Sequence, residues 1–157
     1  VKLITIHPSI VFGPILHPKH MDGSMSYLKH FVKGPPFVLD ININFVDVRD
    51  VALAHVNALY IGENSRRYLT HTSNMWMKEI GQLLKERKGG RWATRKLPKM
   101  LAYILAIFHP KLTIKQLKGS LGKKVSYNVE DTWSVLEIKP YNPEDTIIDS
   151  IESILHQ

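Results

Sequence analysis

Two small groups of side chains in this sequence could take part in chemistry. Asp47, Asp50 and His55 are close enough along the chain to suggest a metal site or a catalytic triad. Both aspartates, however, precede an apolar helical pattern, where either one could cap the first-turn amides, and capping is the simpler explanation for Asp50. His17 and His20 have a loose ligand spacing but no further ligands to support it. We therefore predict neither a metal site nor a triad.

The composition excludes other chemistry. The 157 residues contain no cysteine, which rules out thiol catalysis, disulfides and cysteine–zinc sites. Hydrophobic residues make up 44% and charged residues 22%, as expected of one globular domain. The longest apolar stretch, residues 97–108, is shorter than the roughly 20 residues of a membrane span. It predicts a buried helix. No charged-then-apolar leader ending in small residues appears, so we expect no signal peptide.

The net charge of +7 leaves a second interpretation open. Basic residues cluster in segments 85–96 and 111–124, which could form a nucleic-acid or acidic-surface binding module. A solvated face beside basic loops explains the same pattern more simply. Nucleic acid is therefore an alternative partner and not the expected one.

Hydrophobic periodicity gives the elements that must position any site. Val1, Leu3, Ile4 and Ile6 predict a strand buried on both faces and ended by His7-Pro8, as in a parallel sheet. Residues 41–45 alternate and predict a strand with one polar face, and residues 68–70 predict another strand. Helices are predicted over 23–33, after Asp47 or Asp50, after Ser73 or Asn74, over 98–108, over 131–138, and from Pro143 behind the cap residue Asn142.

This set of elements does not form a complete parallel sheet. Parallel strands need neighbours joined by crossover connections, and the sequence offers little to pair with the first strand. We therefore expect the rest of the sheet to lie upstream of Val1 and the chain to be a piece of a larger enzyme.

Four motifs in register resemble the C-terminal half of the extended short-chain dehydrogenase/reductase family. This is the NAD-dependent epimerase/dehydratase superfamily, and the dihydroflavonol-4-reductase-like branch is the most similar. The motifs are TIHPSIVFGP at 5–14, NFVDVRDVA at 44–52 followed by Ala54-His55, RYL at 67–69 leading to MKEI at 77–80, and PEDTI at 143–147.

The resemblance implies an α/β fold, the C-terminal part of a Rossmann-fold enzyme that is mostly helical with a few short strands. Residues 1–14 would form the last Rossmann strand and cofactor loop, and 15–157 mainly the substrate-binding domain. The family's glycine-rich fingerprint and Tyr-x-x-x-Lys pair belong to an N-terminal dinucleotide-binding domain, expected to be absent from this chain. None of the six tyrosines is followed by lysine at the fourth position, and Gly119 and Gly122 match only part of the fingerprint. We expect no catalytic residue here and an inactive fragment.

The resemblance also implies roles for five residues. Pro8, Ser9, Val11 and Ser24 would contact the cofactor, NADP or NAD, with Ser26 as an alternative to Ser24. Asn44 would face the substrate, or else lie exposed on an edge strand.

The implied reaction is reduction of a ketone or aldehyde, or oxidation of the alcohol, in a cytoplasmic enzyme without a metal. The implied partners are this small-molecule substrate and the missing domain. We also expect the fragment to self-associate, because it should expose apolar surface. A non-catalytic assembly partner is a further alternative.

Overall fold

The computed structural model describes residues 1–108 and 114–157, so part of the basic segment 111–124 and the expected helix end at His109-Pro110 lie outside the described residues. Seven α-helices, seven short strands and one 3-10 helix occur within those ranges. The strands are β1 (Thr5–Pro8), β2 (Ile10–Phe12), β3 (Phe37–Val38), β4 (Asn42–Asp47), β5 (Arg67–Thr70), β6 (Ser73–Trp76) and β7 (Arg95–Lys96). The helices are α1 (Ser26–Lys33), α2 (Val48–Ile61), α3 (Met77–Lys88), α4 (Lys99–Phe108), α5 (Ile114–Ser120), α6 (Glu130–Val135) and α7 (Pro143–Leu155), and the 3-10 helix is Pro18–Met21.

The strands form three small sheets. In the three-stranded sheet, β2 runs parallel to β4, and β4 runs antiparallel to β6. In the two others, β1 pairs with β5 and β3 with β7, both in parallel. Because β4 is the central strand, the alternative that Asn44 lies on an edge strand is wrong.

The opening strand differs from the expectation. Val1 is fully exposed and Leu3 is 64% exposed, and the strand begins only at Thr5 and includes His7 and Pro8. The prediction of a doubly buried strand over residues 1–6 is therefore wrong, as is the expectation that it has little to pair with. Among the described residues β5 pairs with β1 along one edge, and burial of both faces would require packed layers on both sides of the sheet.

The main core lies under the three-stranded sheet. Phe12, Ile43 and Phe45 on the sheet pack against apolar side chains of α1, α3 and α7. Helical spacing predicts an apolar stripe of Met77, Ile80, Leu83 and Leu84 on α3, and the structure confirms it, with Leu83 half-buried and the other three buried. In α7 the spacing predicts a stripe of Ile147, Ile148, Ile151, Ile154 and Leu155. Ile147, Ile151 and Ile154 are buried, Ile148 is half-buried, and Leu155, in the last turn, is 51% exposed.

The predicted cap at Ser73 or Asn74 is wrong. These residues continue as β6, because their backbone pairs with β4, and α3 begins only at Met77. The amide of Trp76 then donates to Glu79 Oε2 at 2.8 Å, which satisfies one first-turn donor. At the other end α3 stops at Gly89, whose φ of 67° suits glycine. The predicted cap Asn142 is confirmed, since its Oδ1 accepts from the amides of Glu144 and Asp145.

Helix α4 is not the buried helix that its composition predicts. It buries the small residues Ala102 and Ala106, whereas Met100 is 73% and Ile107 is 68% exposed. Two alanines four residues apart form a narrow contact face, and the large side chains project away from it. No helix in the described ranges is long and apolar enough to cross a membrane.

Candidate functional site

A groove of about 230 Å³ lies beyond the ends of two parallel strands. Strand β2 ends at Phe12 and β4 ends at Asp47, and the chain leaves both strands at the same edge of the sheet. The groove is lined by Val11, Gly13, Ser24 and Val48, together with Phe12, Pro14, Ile15, His20, Asp22 and Met25. Pockets for drug-sized ligands hold about 300–1,000 Å³, so this groove suits one ring-sized group and not a whole dinucleotide.

Two serines of the last helix hold the backbone of the groove. Ser150 Oγ accepts from the amide of Gly13 at 2.8 Å, and Ser153 Oγ accepts from the amide of Ile15 at 2.6 Å. Gly13 has a φ of +139°, and a Cβ at this position would lie 2.5 Å from Val48 Cγ1. Only glycine therefore allows the strand to approach α2 this closely.

Asp47 fixes the start of α2 beside the groove. Its Oδ1 accepts from the amide of Arg49 at 2.8 Å, and its Oδ2 accepts from Thr146 Oγ1 at 2.7 Å. Arg49 also pairs with it through Nη2 at 2.7 Å. Burial would raise the pKa of Asp47, but the hydrogen bonds from Arg49 and Thr146 outweigh it and lower the pKa. The helix cap is thus Asp47.

The explanation of Asp50 as a cap is wrong. Asp50 lies inside α2, fully buried, and its carboxylate accepts from the amide of Tyr141 at 3.1 Å. Burial raises the pKa of Asp50. His55 is exposed, and its Nδ1 contacts the carbonyl of Val51, so the two residues and Asp47 form no triad. Within residues 1–108 and 114–157, no three histidine, aspartate or glutamate side chains come together as metal ligands.

The structure brings together only two of the residues expected at the cofactor. Val11 and Ser24 line the groove. The alternative Ser26 is exposed, and its Oγ donates to the carbonyl of Gly23, so geometry favours Ser24. Pro8 is exposed at the end of β1, and Ser9 connects β1 to β2, so neither lines the groove.

Sequence reasoning missed His71, which directly follows β5. His71 is 5% exposed, and its Nδ1 lies 3.4 Å from Ser9 Oγ. Its ring meets that of Tyr127 edge to face, and its carbonyl accepts from Trp133 Nε1. Burial lowers the pKa of His71. A polar residue at the carboxyl end of a parallel strand was the available signal.

Asn44 belongs to a polar face of the three-stranded sheet. The strand register sets Asn44 opposite Asn74 and Asn42 opposite Trp76, and residues directly opposite share a face. Val11 lies on this same face, since it pairs with Val46. The alternation over residues 41–45 already predicted that Asn42 and Asn44 share one face of the strand. A functional role for Asn42 was not predicted.

The basic segment 85–96 is partly neutralised by ion pairs. Arg87 pairs with Asp145 at 3.0 Å, Lys88 with Glu152 at 2.7 Å, and Lys96 with Asp40 at 2.6 Å. Because a polyanion would have to compete with these carboxylates, the pairing weakens the case for nucleic-acid binding.

Comparison with known proteins gives partial sequence matches. No family model matches the chain. Cinnamoyl-CoA reductase 1 of Arabidopsis thaliana is 33% identical over 84 residues, which are 54% of this chain and 24% of that protein. Ketoreductase azaE of Aspergillus niger is 32% identical over 96 residues, 53% of this chain and 27% of that protein. The matched segments therefore span about a quarter of these relatives.

Solved structures match almost the whole chain in fold. Yeast methylglyoxal/isovaleraldehyde reductase Gre2, solved with NADPH, superposes with a TM-score of 0.72 at 21% identity, over 99% of this chain and 43% of that one. Vestitone reductase from alfalfa, Medicago sativa, superposes with a TM-score of 0.69 at 20% identity, over 99% of this chain and 45% of that one. A nucleoside-diphosphate-sugar epimerase from Pseudomonas aeruginosa superposes with a TM-score of 0.73 at 16% identity, over 99% of this chain and 49% of that one.

These matches define the class of fold as Rossmann-like, as predicted. Sequence and fold matches together support the resemblance to the C-terminal portion of the extended short-chain dehydrogenase/reductase superfamily.

Proposed function

We propose that this chain forms the substrate-facing part of an NAD(P)-dependent oxidoreductase, which reduces a ketone or aldehyde or oxidises the corresponding alcohol. Residues 1–14 contribute the last Rossmann strand and cofactor loop, and 15–157 mainly form the substrate-binding domain. The proposal includes the dihydroflavonol-4-reductase-like branch and a cytoplasmic location.

The observation that carries the proposal is the position of the groove. In open α/β sheets, ligands bind in the crevice outside the carboxyl ends of the strands. The groove lies beyond the carboxyl ends of β2 and β4 and is closed on one side by the start of α2. The relatives that match in sequence are reductases by name, which supports the same reaction class.

The residues of the groove fit the nicotinamide end of a cofactor. Val11 and Val48 offer an apolar wall to a flat ring, and Ser24 offers a hydroxyl that can donate to or accept from a carboxamide. Pro8 and Ser9 belong to the same proposed contact surface along the connection from β1 to β2. The bound nicotinamide supplies the hydride, whereas this chain's residues orient the ring and exclude water.

An N-terminal domain supplies the remaining chemistry in this proposal. A Tyr-x-x-x-Lys pair there donates the proton to the carbonyl oxygen, and a glycine-rich turn there holds the pyrophosphate. The edge of β1 that faces away from β5 and the exposed apolar residues of α2, such as Leu59 at 75%, are the surface on which that domain packs. The chain alone is inactive and self-associates through this surface.

The first experiment compares the 157-residue chain with the protein that carries both domains. NADPH absorbance is followed with a panel of ketones and aldehydes. We expect turnover by the two-domain protein and none by the chain alone, which should also bind an apolar dye and elute as an oligomer. Turnover by the chain alone would contradict the assignment of the catalytic pair. A preceding sequence without Tyr-x-x-x-Lys would refute the reductase proposal.

A matched pair of variants tests the groove in the two-domain protein. Ser24→Ala removes the only serine hydroxyl among the groove residues and should raise KM for NADPH about tenfold, the range of one hydrogen bond. Ser26→Ala removes a similar hydroxyl two residues away, which donates to Gly23 outside the groove. It should leave KM unchanged, and equal effects of the two variants would show that the groove is not the cofactor site.

A further inference from the structure

Helix α4 presents an apolar face that no described residue covers. Met100, Ile104 and Ile107 are four and three residues apart, so they share one side of the helix, and Leu101 and Leu105 lie beside them. The exposed fractions of these five side chains range from 41% to 73%. The small residues on the opposite side of the helix pack against α5. Soluble proteins rarely leave a contiguous apolar face of this kind without a partner.

Exposed lysines accompany this apolar face. They lie on α4, on α5 and directly after α5: Lys99, Lys115, Lys118, Lys123 and Lys124. The start of α4 meets the end of α5, since a Cβ on Gly122 would lie 3.1 Å from Lys99 Nζ. Within the described ranges, the ion pairs involve other cations: Arg49, Arg66, Arg87, Lys88 and Lys96. The surface formed by α4, α5 and residues 122–124, here the α4–α5 surface, therefore combines apolar side chains with uncompensated positive charge.

The α4–α5 surface lies away from the groove and from the proposed position of the N-terminal domain. Its core includes Leu39 and Ile41, which precede β4, whereas the groove lies beyond Asp47 at the other end of that strand. Because each strand residue advances about 3.3 Å, these two ends are about 20 Å apart. This core also shares no side chain with the cluster that joins α2 to β1. A domain that packs on β1 and α2 therefore leaves α4 uncovered.

The combination of charge and apolar surface discriminates among possible partners. A twofold contact between two copies of this surface would bring the two groups of lysines together, and like charges would oppose it. A nucleic acid would neutralise the lysines but leave the apolar side chains of α4 in water. An anionic bilayer satisfies both, because its headgroups meet the lysines and the boundary of its acyl chains accepts the apolar residues.

We infer that the α4–α5 surface docks on anionic phospholipid membranes, with α4 lying in the plane of the headgroups. A helix in this position rests on the bilayer and does not span it. The contact is reversible, since it combines one short apolar face with a few lysines and no covalent anchor. The inference does not depend on the proposed reaction, because membrane binding is measured without substrate or cofactor.

Vesicle flotation of the two-domain protein tests the inference. Phosphatidylcholine vesicles with about 30% phosphatidylserine are compared with pure phosphatidylcholine vesicles, at about 0.1 M and about 1 M salt. We expect binding to the anionic vesicles at low salt only. Lys123→Gln combined with Lys124→Gln should weaken this binding about 25-fold, because each lysine near an anionic surface contributes about fivefold. Ile104→Gln combined with Ile107→Gln should weaken it about tenfold, because apolar contact with the acyl boundary is lost.

Leu155→Gln and Lys139→Gln are the matched controls. Both residues are exposed and lie outside the α4–α5 surface, so these variants should bind the anionic vesicles like the wild type. Circular dichroism verifies that every variant is folded. Absence of binding to anionic vesicles, or equal binding to both kinds of vesicle, overturns the inference. Wild-type binding by the variant with Ile104→Gln and Ile107→Gln also overturns it, and a duplex DNA titration would then show whether the lysines serve a polyanion.

Discussion

Replacing Asn42 by leucine should make the unliganded protein more stable. Both polar atoms of the Asn42 amide are buried without a protein partner among the described residues. An unsatisfied buried polar group costs about 1–3 kcal/mol, so relieving two of them at the lower limit gains about 2 kcal/mol. Leucine has a similar size and shape and carries no group that needs a hydrogen-bond partner. For a domain of about 150 residues, this gain corresponds to a rise in Tm of about 4–8 °C.

The assay is thermal and urea unfolding followed by circular dichroism, with Asn57→Leu as the control. This control removes the hydrogen bond from Asn57 to the Leu136 carbonyl. Its free energy of unfolding should fall by about 1 kcal/mol, which corresponds to a fall in Tm of about 2–4 °C. The same substitution at two half-buried asparagines should thus raise Tm at Asn42 and lower it at Asn57. A fall in Tm for Asn42→Leu would refute the reasoning, because it would mean that the amide is well partnered in solution.

Three further outcomes follow from groups described above. The pKa of His71 is lowered in the folded state, so the unfolded chain binds the proton first and the protein loses stability as pH falls below about 6.5. His71→Gln should reduce this loss. Denaturation midpoints measured from pH 8 to 5 test this, and an identical pH dependence in the variant and the wild type would contradict it. Gly81→Ala should lower Tm, since its Cβ would clash with the carbonyl oxygen of Ala93. Gly119→Ala meets no atom within 4 Å among the described residues, so it should raise the free energy of unfolding by about 0.5–1 kcal/mol, and thermal shifts of equal sign for the two variants would contradict this. Asp47→Ala should lower the free energy of unfolding by about 3 kcal/mol at pH 7, because the pKa of Asp47 is lowered in the folded state. The difference in stability from wild type should vanish as pH falls through that pKa. A difference that persists in acid would argue against the ion pair with Arg49.

Local patterns predicted the elements whose formation depends on their own residues. The cap at Asn142, the stripe of α3 and the polar face over 41–45 follow from side-chain spacing, and the structure confirms them. The errors have a common cause. Whether Ser73 starts a helix or a strand depends on β4, which pairs with it, and a single sequence window contains no information about that partner.

The candidate site was predictable only in part, for the same reason. Val11 and Ser24 came from the family resemblance and do share a groove, but the residues that hold it are distant in sequence. Ser150 and Ser153 lie more than 130 residues from the backbone amides they accept from. The burial of Asp50 likewise depends on Tyr141, which follows it by 91 residues. No local pattern links these distant positions. The functional roles of the five residues named by the resemblance stay predictions: Pro8, Ser9, Val11, Ser24 and Asn44.

The hydrogen bonds from Ser150 and Ser153 have a consequence for the order of folding. They join the first fifteen residues to the final helix, so the contact order of the groove is high, and long-range closure of this kind is slow. During synthesis, the ribosome must release α7 before Gly13 and Ile15 can settle. The nascent chain therefore carries an unfinished groove until α7 has left the ribosome, which makes truncations within α7 more harmful to the groove than their small size suggests.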